Sequence, residues 1–274
     1  MKSEKNNHLI AIVVGISLIV FVVIITFVKS SLNGENVDQK NKEEIKKITD
    51  ETKNVKYFTT KELLKKISSG ESVVLIDIRT PEEFQIEHLQ NSINIPLSTL
   101  EATLPNLRKG ALYVLIDNSN TLELLDLAGN IFPKNDFDST FYLQGGITEW
   151  KNNFAPTISG GNPNSISDQA KVNYLSSDKL KEVIEKEKNF LIIDVRQKSN
   201  FVEGHIKGAI NLYLGDIEGK ISEIPLGKKV IVYDDDTISA FQAAVRLSDL
   251  GRANVFSLSD GFGKWKEKNY PIEK

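Results

Sequence analysis

Unbroken apolar runs and amphipathic runs alternate along most of this chain. SVVLIDIR (72–79) and NFLIIDVR (189–196) are apolar stretches that end in Asp-x-Arg, the pattern of a strand buried on both faces. ALYVLID (111–117) and KKVIVYD (228–234) read as further strands, as do STFYLQ (139–144), NVFSLS (254–259), SINIP (92–96) and AINLYL (209–214). TTKELLKKISSG (59–70) has helical spacing, with Leu63, Leu64 and Ile67 on one face, Thr59 or Thr60 as N-cap and Gly70 as stop. PEEFQIEHL (81–89) opens on Pro81, tolerated in a first helical turn. SSDKLKEVIEKE (176–187), KSNFVEGH (198–205), TLELLDLAGNI (121–131) and TISAFQAAVRLSDLG (237–251) complete the helices. Strands alternating with helices predict a doubly wound, mostly parallel α/β sheet. In such sheets, sites form beyond the carboxyl ends of the strands, here the loops after YVLI and VIVY.

The elements occur twice. At a shift of 117 residues Asp77, Arg79, Phe84, His88 and Asn94 fall on Asp194, Arg196, Phe201, His205 and Asn211, while Asp117 falls on Asp234. LQGGITEW (143–150) and LSDGFGKW (258–265) match at a shift of 115, so a small length change separates the units. The repeat places one domain at 55–153 and a second at 172–274. Residues 154–171, rich in Gly, Pro, Ser and Asn, are expected to form a linker.

Ahead of the repeats, residues 9–28 contain no charge over the roughly 20 residues that a helix needs to cross a bilayer. They predict a single membrane span after a short tail at 1–8. The apolar stretch exceeds the roughly 7–15 residues of a cleaved signal's apolar region, so an uncleaved signal anchor is expected. That topology puts the domains outside the cytoplasm. The Lys, Glu, Asn and Asp of 29–54 describe a charged spacer.

Composition narrows the chemistry. The net charge of -3 comes without a basic stripe interleaved with aromatics, which argues against nucleic acid as a partner. The chain has no cysteine, which removes disulfides, thiolate metal sites and any mechanism that passes through a thiolate.

The Asp-x-Arg followed by Phe, Gly-His-Ile, Gly-Ala and Asn in the second unit resembles the rhodanese (thiosulfate sulfurtransferase) family, as does the Gly-Gly-x-x-x-Trp of 145–150. The first unit departs at Glu87, Gln90 and Ser92, where the second has Gly204, Lys207 and Ala209. The resemblance implies two tandem rhodanese-like domains. In active members the strand corresponding to VIVY ends in a cysteine, and the N–H groups of the next loop and helix favour its thiolate and persulfide. Here Asp117 and Asp234 stand at that position, so both loops read as degenerate: Asp117, Asn118, Ser119, Asn120 and Thr121 in one, Asp234, Asp235, Asp236 and Thr237 in the other. No catalytic residue, metal or cofactor is assigned. The two aspartates are expected to cap the helix that follows, in the place of a substrate anion. Asp77, Arg79, His88, Asp194, Arg196 and His205 are read as a structural motif, and Trp150 and Trp265 as core.

The expected function is a membrane-anchored binding or scaffold module, inactive as a sulfurtransferase, with an unidentified protein partner. Two alternatives stay open. One is a metal-assisted or phosphatase-like enzyme using Asp234, Asp235 and Asp236, in which Asp234 and Asp236 have the spacing of a strand-ending Asp-x-Asp nucleophile motif but Thr237 and Ile238 do not match it. The other is a degenerate paralogue of a sulfurtransferase.

Overall fold

The structure is a computed structural model that describes residues 55–120, 124 and 126–274. The span expected at 9–28, the spacer and Thr121 lie outside these residues. Among the described residues no helix is long and apolar enough to cross a membrane.

The first repeat runs β1 (Tyr57–Phe58), α1 (Thr60–Ser68), β2 (Val73–Asp77), α2 (Pro81–Ile86), β3 (Glu87–Leu89), β4 (Ile93–Asn94), α3 (Leu97–Thr103), β5 (Leu112–Ile116), β6 (Thr140–Leu143), α4 (Gly146–Asn152) and β7 (Thr157–Ser159). Of the helix expected over 121–131, Leu127–Ile131 forms a π-helical turn. α1 begins as its sequence predicts: Thr59 is the N-cap and forms a reciprocal capping box with Glu62.

The second repeat follows the segment between them, which holds α5 (Ile166–Gln169). It runs β8 (Asn173–Leu175), α6 (Ser177–Lys186), β9 (Phe190–Asp194), α7 (Lys198–Glu203), β10 (His205–Ile206), β11 (Ile210–Asn211), β12 (Lys229–Tyr233), α8 (Ile238–Asp249), β13 (Val255–Leu258), α9 (Gly261–Glu267) and β14 (Ile272–Glu273).

Each repeat builds a five-stranded sheet of the same order, β1-β6-β5-β2-β4 and β8-β13-β12-β9-β11, with parallel neighbours throughout. Both faces are covered. In the second domain Ile193, Val230 and Val232 pack with Phe241 and Ala244 of α8, while Ile192, Ile231 and Tyr233 pack with Leu180 and Trp265 on the opposite face. This two-residue alternation within an all-apolar run is what a strand buried on both sides requires.

The expected linker proves to be structured. Its first residues close the first domain, because β7 pairs antiparallel with β3 just as β14 pairs with β10. Trp150 donates from Nε1 to the Pro156 carbonyl at 2.9 Å, and Trp265 does the same to Pro271 at 3.0 Å. β7 lies within 154–171, where the short polar sequence carries too little apolar pattern to be read as a strand. The two repeats belong to one compact unit, 56–274. One contact between them is made by β7, whose Ser159 N–H donates to Asp249 Oδ2 of α8 at 2.9 Å.

Candidate functional site

The two loops beyond the central strands are each held by a helix N-terminus from their own domain. Ile147 N–H of α4 donates to the Asp117 carbonyl at 2.9 Å, and Phe262 N–H of α9 donates to the Asp234 carbonyl at 2.8 Å. Such an approach needs glycine. A Cβ on Gly146 (φ +58) would lie 2.5 Å from the Asp117 carbonyl oxygen, and one on Gly261 (φ +66) would lie 2.6 Å from that of Asp235. The second glycine of Gly-Gly-x-x-x-Trp and the glycine of Asp-Gly are thus packing requirements.

Asp234 is buried, and its side chain turns into the loop. Oδ1 accepts from Thr237 N–H at 2.6 Å and Oδ2 from Ser239 N–H at 2.8 Å. The expected capping is therefore found, with a correction of position. The residue immediately before α8 is Thr237, which sits at φ +79 without a side-chain cap bond, and Asp234 reaches the helix end from the strand side. The tight turn from β12 into α8 puts the strand's last carboxylate beneath the helix start. Burial, the neighbouring Asp236 and its charge push the Asp234 carboxyl up to about 6, against the pull of backbone N–H groups at Thr237 and Ala240.

The other two acids of this loop have further partners. Asp235 Oδ1 lies 3.2 Å from Arg196 Nη1, and Asp236 Oδ1 accepts from Ile238 N–H at 3.2 Å. Asp235 is drawn away to Arg196 while Asp236 stays beside the Asp234 carboxyl, and among the described residues no group of three or more acidic or histidine side chains is placed to hold a metal ion. In the first domain Asp117 is also buried and accepts from Asn120 N–H at 2.8 Å. Asn118 turns outward to Glu83 Oε1 at 2.7 Å, and Asn120, at φ +65, donates to the Leu143 carbonyl. Ser119 shares this exposed loop.

The Asp-x-Arg pairs form the expected buried networks. Arg79 Nη2 lies 2.6 Å from Asp77 Oδ2 and 2.7 Å from the Glu87 carbonyl. Arg196 repeats this with Asp194 and the Gly204 carbonyl at 2.6 and 2.9 Å. Asn94 donates from Nδ2 to the carbonyls of Asp77 and Arg79, and Asn211 does the same to those of Asp194 and Arg196. Both histidines stack on the phenylalanine four residues earlier, with ring centroids 3.9 and 3.8 Å apart.

The domains differ at the mouth of the site. Arg196 is covered by Asp235 and by the Phe262 ring, whose centroid lies 4.3 Å from the guanidinium carbon. Around Arg79, Asn118 and Ile147 stand in those positions, and a recess of about 410 Å³ opens, bordered also by Glu83, Glu87 and Lys151. Glu83 is held below the usual carboxylate range by its bond from Asn118, against a smaller effect of burial. Lys151 pairs with Glu87.

Sequence reasoning missed the residues that join the domains: Gln85, Glu218, Arg246 and Asp249. Arg246 Nη2 donates to Gln85 Oε1 at 3.2 Å, and His88 Nε2 lies 3.0 Å from Glu218 Oε2. These partners are far apart in the chain and carry no motif, so only the docked fold reveals them.

The rhodanese-like domain family matches residues 59–153 and 176–268. The chain belongs to that family, with two such domains in tandem. It is 32% identical over 106 residues to the uncharacterized protein YibN of Escherichia coli, covering 38% of this chain and 73% of that one. It is 33% identical over 96 residues to the thiosulfate sulfurtransferase GlpE of Shewanella oneidensis, covering 35% and 94%. A crystal structure of a thiosulfate sulfurtransferase from Pseudomonas aeruginosa aligns over 80% of this chain and 43% of its own, with 19% identity and a TM-score of 0.42. The chain contains no cysteine, so neither domain can form a cysteine persulfide.

Proposed function

We propose that this protein is a non-catalytic binding module, two rhodanese-like domains held at a membrane by a single span at 9–28 and spaced from it by 29–54. The observation that carries the reading is the Asp234 carboxylate, which accepts the N–H groups of Thr237 and Ser239 at the head of α8. Those groups are the ones an oxyanion substrate would need. A carboxylate in their place repels a second anion and cannot carry a sulfane sulfur. The engagement of Asp235 by Arg196 and of the Asp234 carboxylate by two helix N–H groups supports this reading over a metal-assisted or phosphatase-like enzyme. The recess beside Arg79 gives the first domain a surface for a partner's polar group, whereas Asp235 and Phe262 cover the same arginine in the second.

The test uses the full chain in detergent, with thiosulfate as donor and cyanide as acceptor. Thiocyanate formation no faster than with the heat-denatured sample is the expected result; turnover above it refutes the reading. Two further measurements address the tether. Carbonate washing of membranes should leave the chain in the pellet, and protease added outside intact cells should remove both domains. Release by carbonate would refute the span, and protection from protease would place the domains in the cytoplasm.

A further inference from the structure

His88 sits almost fully buried between the domains, at 2% exposure. Its Nδ1 lies 2.7 Å from the Phe84 carbonyl oxygen, and a carbonyl only accepts, so Nδ1 carries a hydrogen. Its Nε2 lies 3.0 Å from Oε2 of Glu218, 130 residues further along the chain in the second domain. A neutral ring with its hydrogen on Nδ1 would turn a lone pair toward that carboxylate, and the two would repel. The contact therefore needs a proton between Nε2 and Oε2.

The surroundings place that proton on the ring. Burial alone would raise the Glu218 carboxyl, but the hydrogen bond from His88 and the charges of His88 and Arg246 hold it below the usual range. The Phe84 ring, stacked at 3.9 Å, covers one face of the imidazole. The second domain provides an internal control. His205 has the same phenylalanine stack and the same Nδ1 bond to a carbonyl, at 3.0 Å, yet its Nε2 lies 3.9 Å from Glu273 of its own domain, an exposed residue. The ionic contact at His88 is thus an addition to the shared motif.

Of the other charged groups near this contact, Arg246 acts on Glu218 through its charge, and all of them have further partners. On its own strand Glu87 pairs with Lys151. On α8 Arg246 bonds to Gln85 and to the Leu214 carbonyl, and Asp249 takes Lys171 and the Ser159 N–H. Lys171 also reaches Asp168. Imidazole is the side chain that changes charge across the neutral range.

We propose that His88 and Glu218 form a proton-dependent latch between the two domains, closed by the imidazolium and released when His88 gives up its proton. Without that proton Nε2 and Oε2 turn lone pairs toward each other, so the contact is favourable at acidic pH and is lost as pH rises.

Because the chain has no cysteine, Glu101→Cys with Lys188→Cys gives two exposed and unique sites for spin labels in the full-length protein. Distances would be recorded by pulsed electron paramagnetic resonance at about pH 5.5 and about pH 8.5, on either side of the histidine range. The expected result is one narrow distribution at the lower pH and a several-fold rise of a second, broader component at the higher. Glu218→Gln should abolish the pH response with the domains docked throughout, because the amide donates to the neutral ring or accepts from the charged one. His205→Gln should keep the wild-type response. A labelled protein whose distribution is the same at both pH values overturns the latch, and so does a Glu218→Gln variant that still responds.

Discussion

At the scale of the residue, Asp234 decides what the second loop can do. Its carboxyl is pushed up to about 6 from an ordinary 3.8, chiefly by burial and then by Asp236. A folded value above the unfolded one means that the native state binds a proton the unfolded chain releases. Asp234 therefore costs stability above about pH 6, and that cost fades as pH falls toward 4. One pKa unit corresponds to about 1.4 kcal/mol. With allowance for water near the loop, the wild type should gain on the order of 2 kcal/mol over Asp234→Asn between pH 7 and pH 4. Urea titrations of the two proteins across that range give the difference directly, and a flat difference would mean that the two N–H bonds outweigh burial. A second substitution probes the same groups with a thiol. In Asp234→Cys the introduced sulfur faces the N–H groups of Thr237 and Ser239, which favour a thiolate. Its half-point for alkylation by iodoacetamide should fall about one unit or more below the roughly 8.5 of a free thiol. A half-point at or above that value would show that the helix start no longer offers those donors.

At the scale of the element, the loops are set by close approach as much as by hydrogen bonding. α9 meets the strand-end loop through Gly261, where φ is +66 and a Cβ would stand 2.6 Å from the Asp235 carbonyl oxygen. Gly261→Ala should therefore cost roughly 1–3 kcal/mol in denaturant unfolding, from left-handed strain and from separation of α9 from the loop. A loss within a few tenths would mean the helix can pivot freely. Here the limits of the sequence also show. The apolar runs 72–79 and 189–196 exposed the central strands, because burial on both faces leaves no polar residue until the Asp-x-Arg end. Thr59 was legible as one of two candidate N-caps of α1, and its capping box with Glu62 decides between them. Asp234 was legible as a ligand for helix N–H groups, but its place three residues ahead of the position before α8 was not, since loop path depends on the Thr237 backbone at φ +79. β7 was hidden for another reason. Thr157, Ile158 and Ser159 have no pattern of their own and become a strand only by pairing with β3.

At the scale of the whole molecule, the question is whether two domains of this size behave as one. The segment between them is anchored on both sides, because β7 is a strand of the first domain and its Ser159 N–H bonds to Asp249 of α8 in the second. Asp249 also holds Lys171, which is shared with Asp168. Part-buried polar contacts of this kind couple domains, because separating them gives up hydrogen bonds already formed across the seam. The wild-type repeats should therefore unfold in a single calorimetric transition. Asp249→Ala removes the acceptor of the Ser159 N–H and leaves Lys171 with one partner, a loss of about 1–3 kcal/mol concentrated at the junction. Neither sheet contains Asp249, so each domain keeps its own core. The expected consequence is a split into two transitions rather than a uniform fall in melting temperature. Two transitions already present in the wild type, or a single lowered one in the variant, would mean that coupling resides elsewhere. In a binding module the distinction has a direct effect on function: a coupled pair presents the Arg79 recess at a fixed orientation to the second domain, whereas an uncoupled pair presents two surfaces joined by a tether.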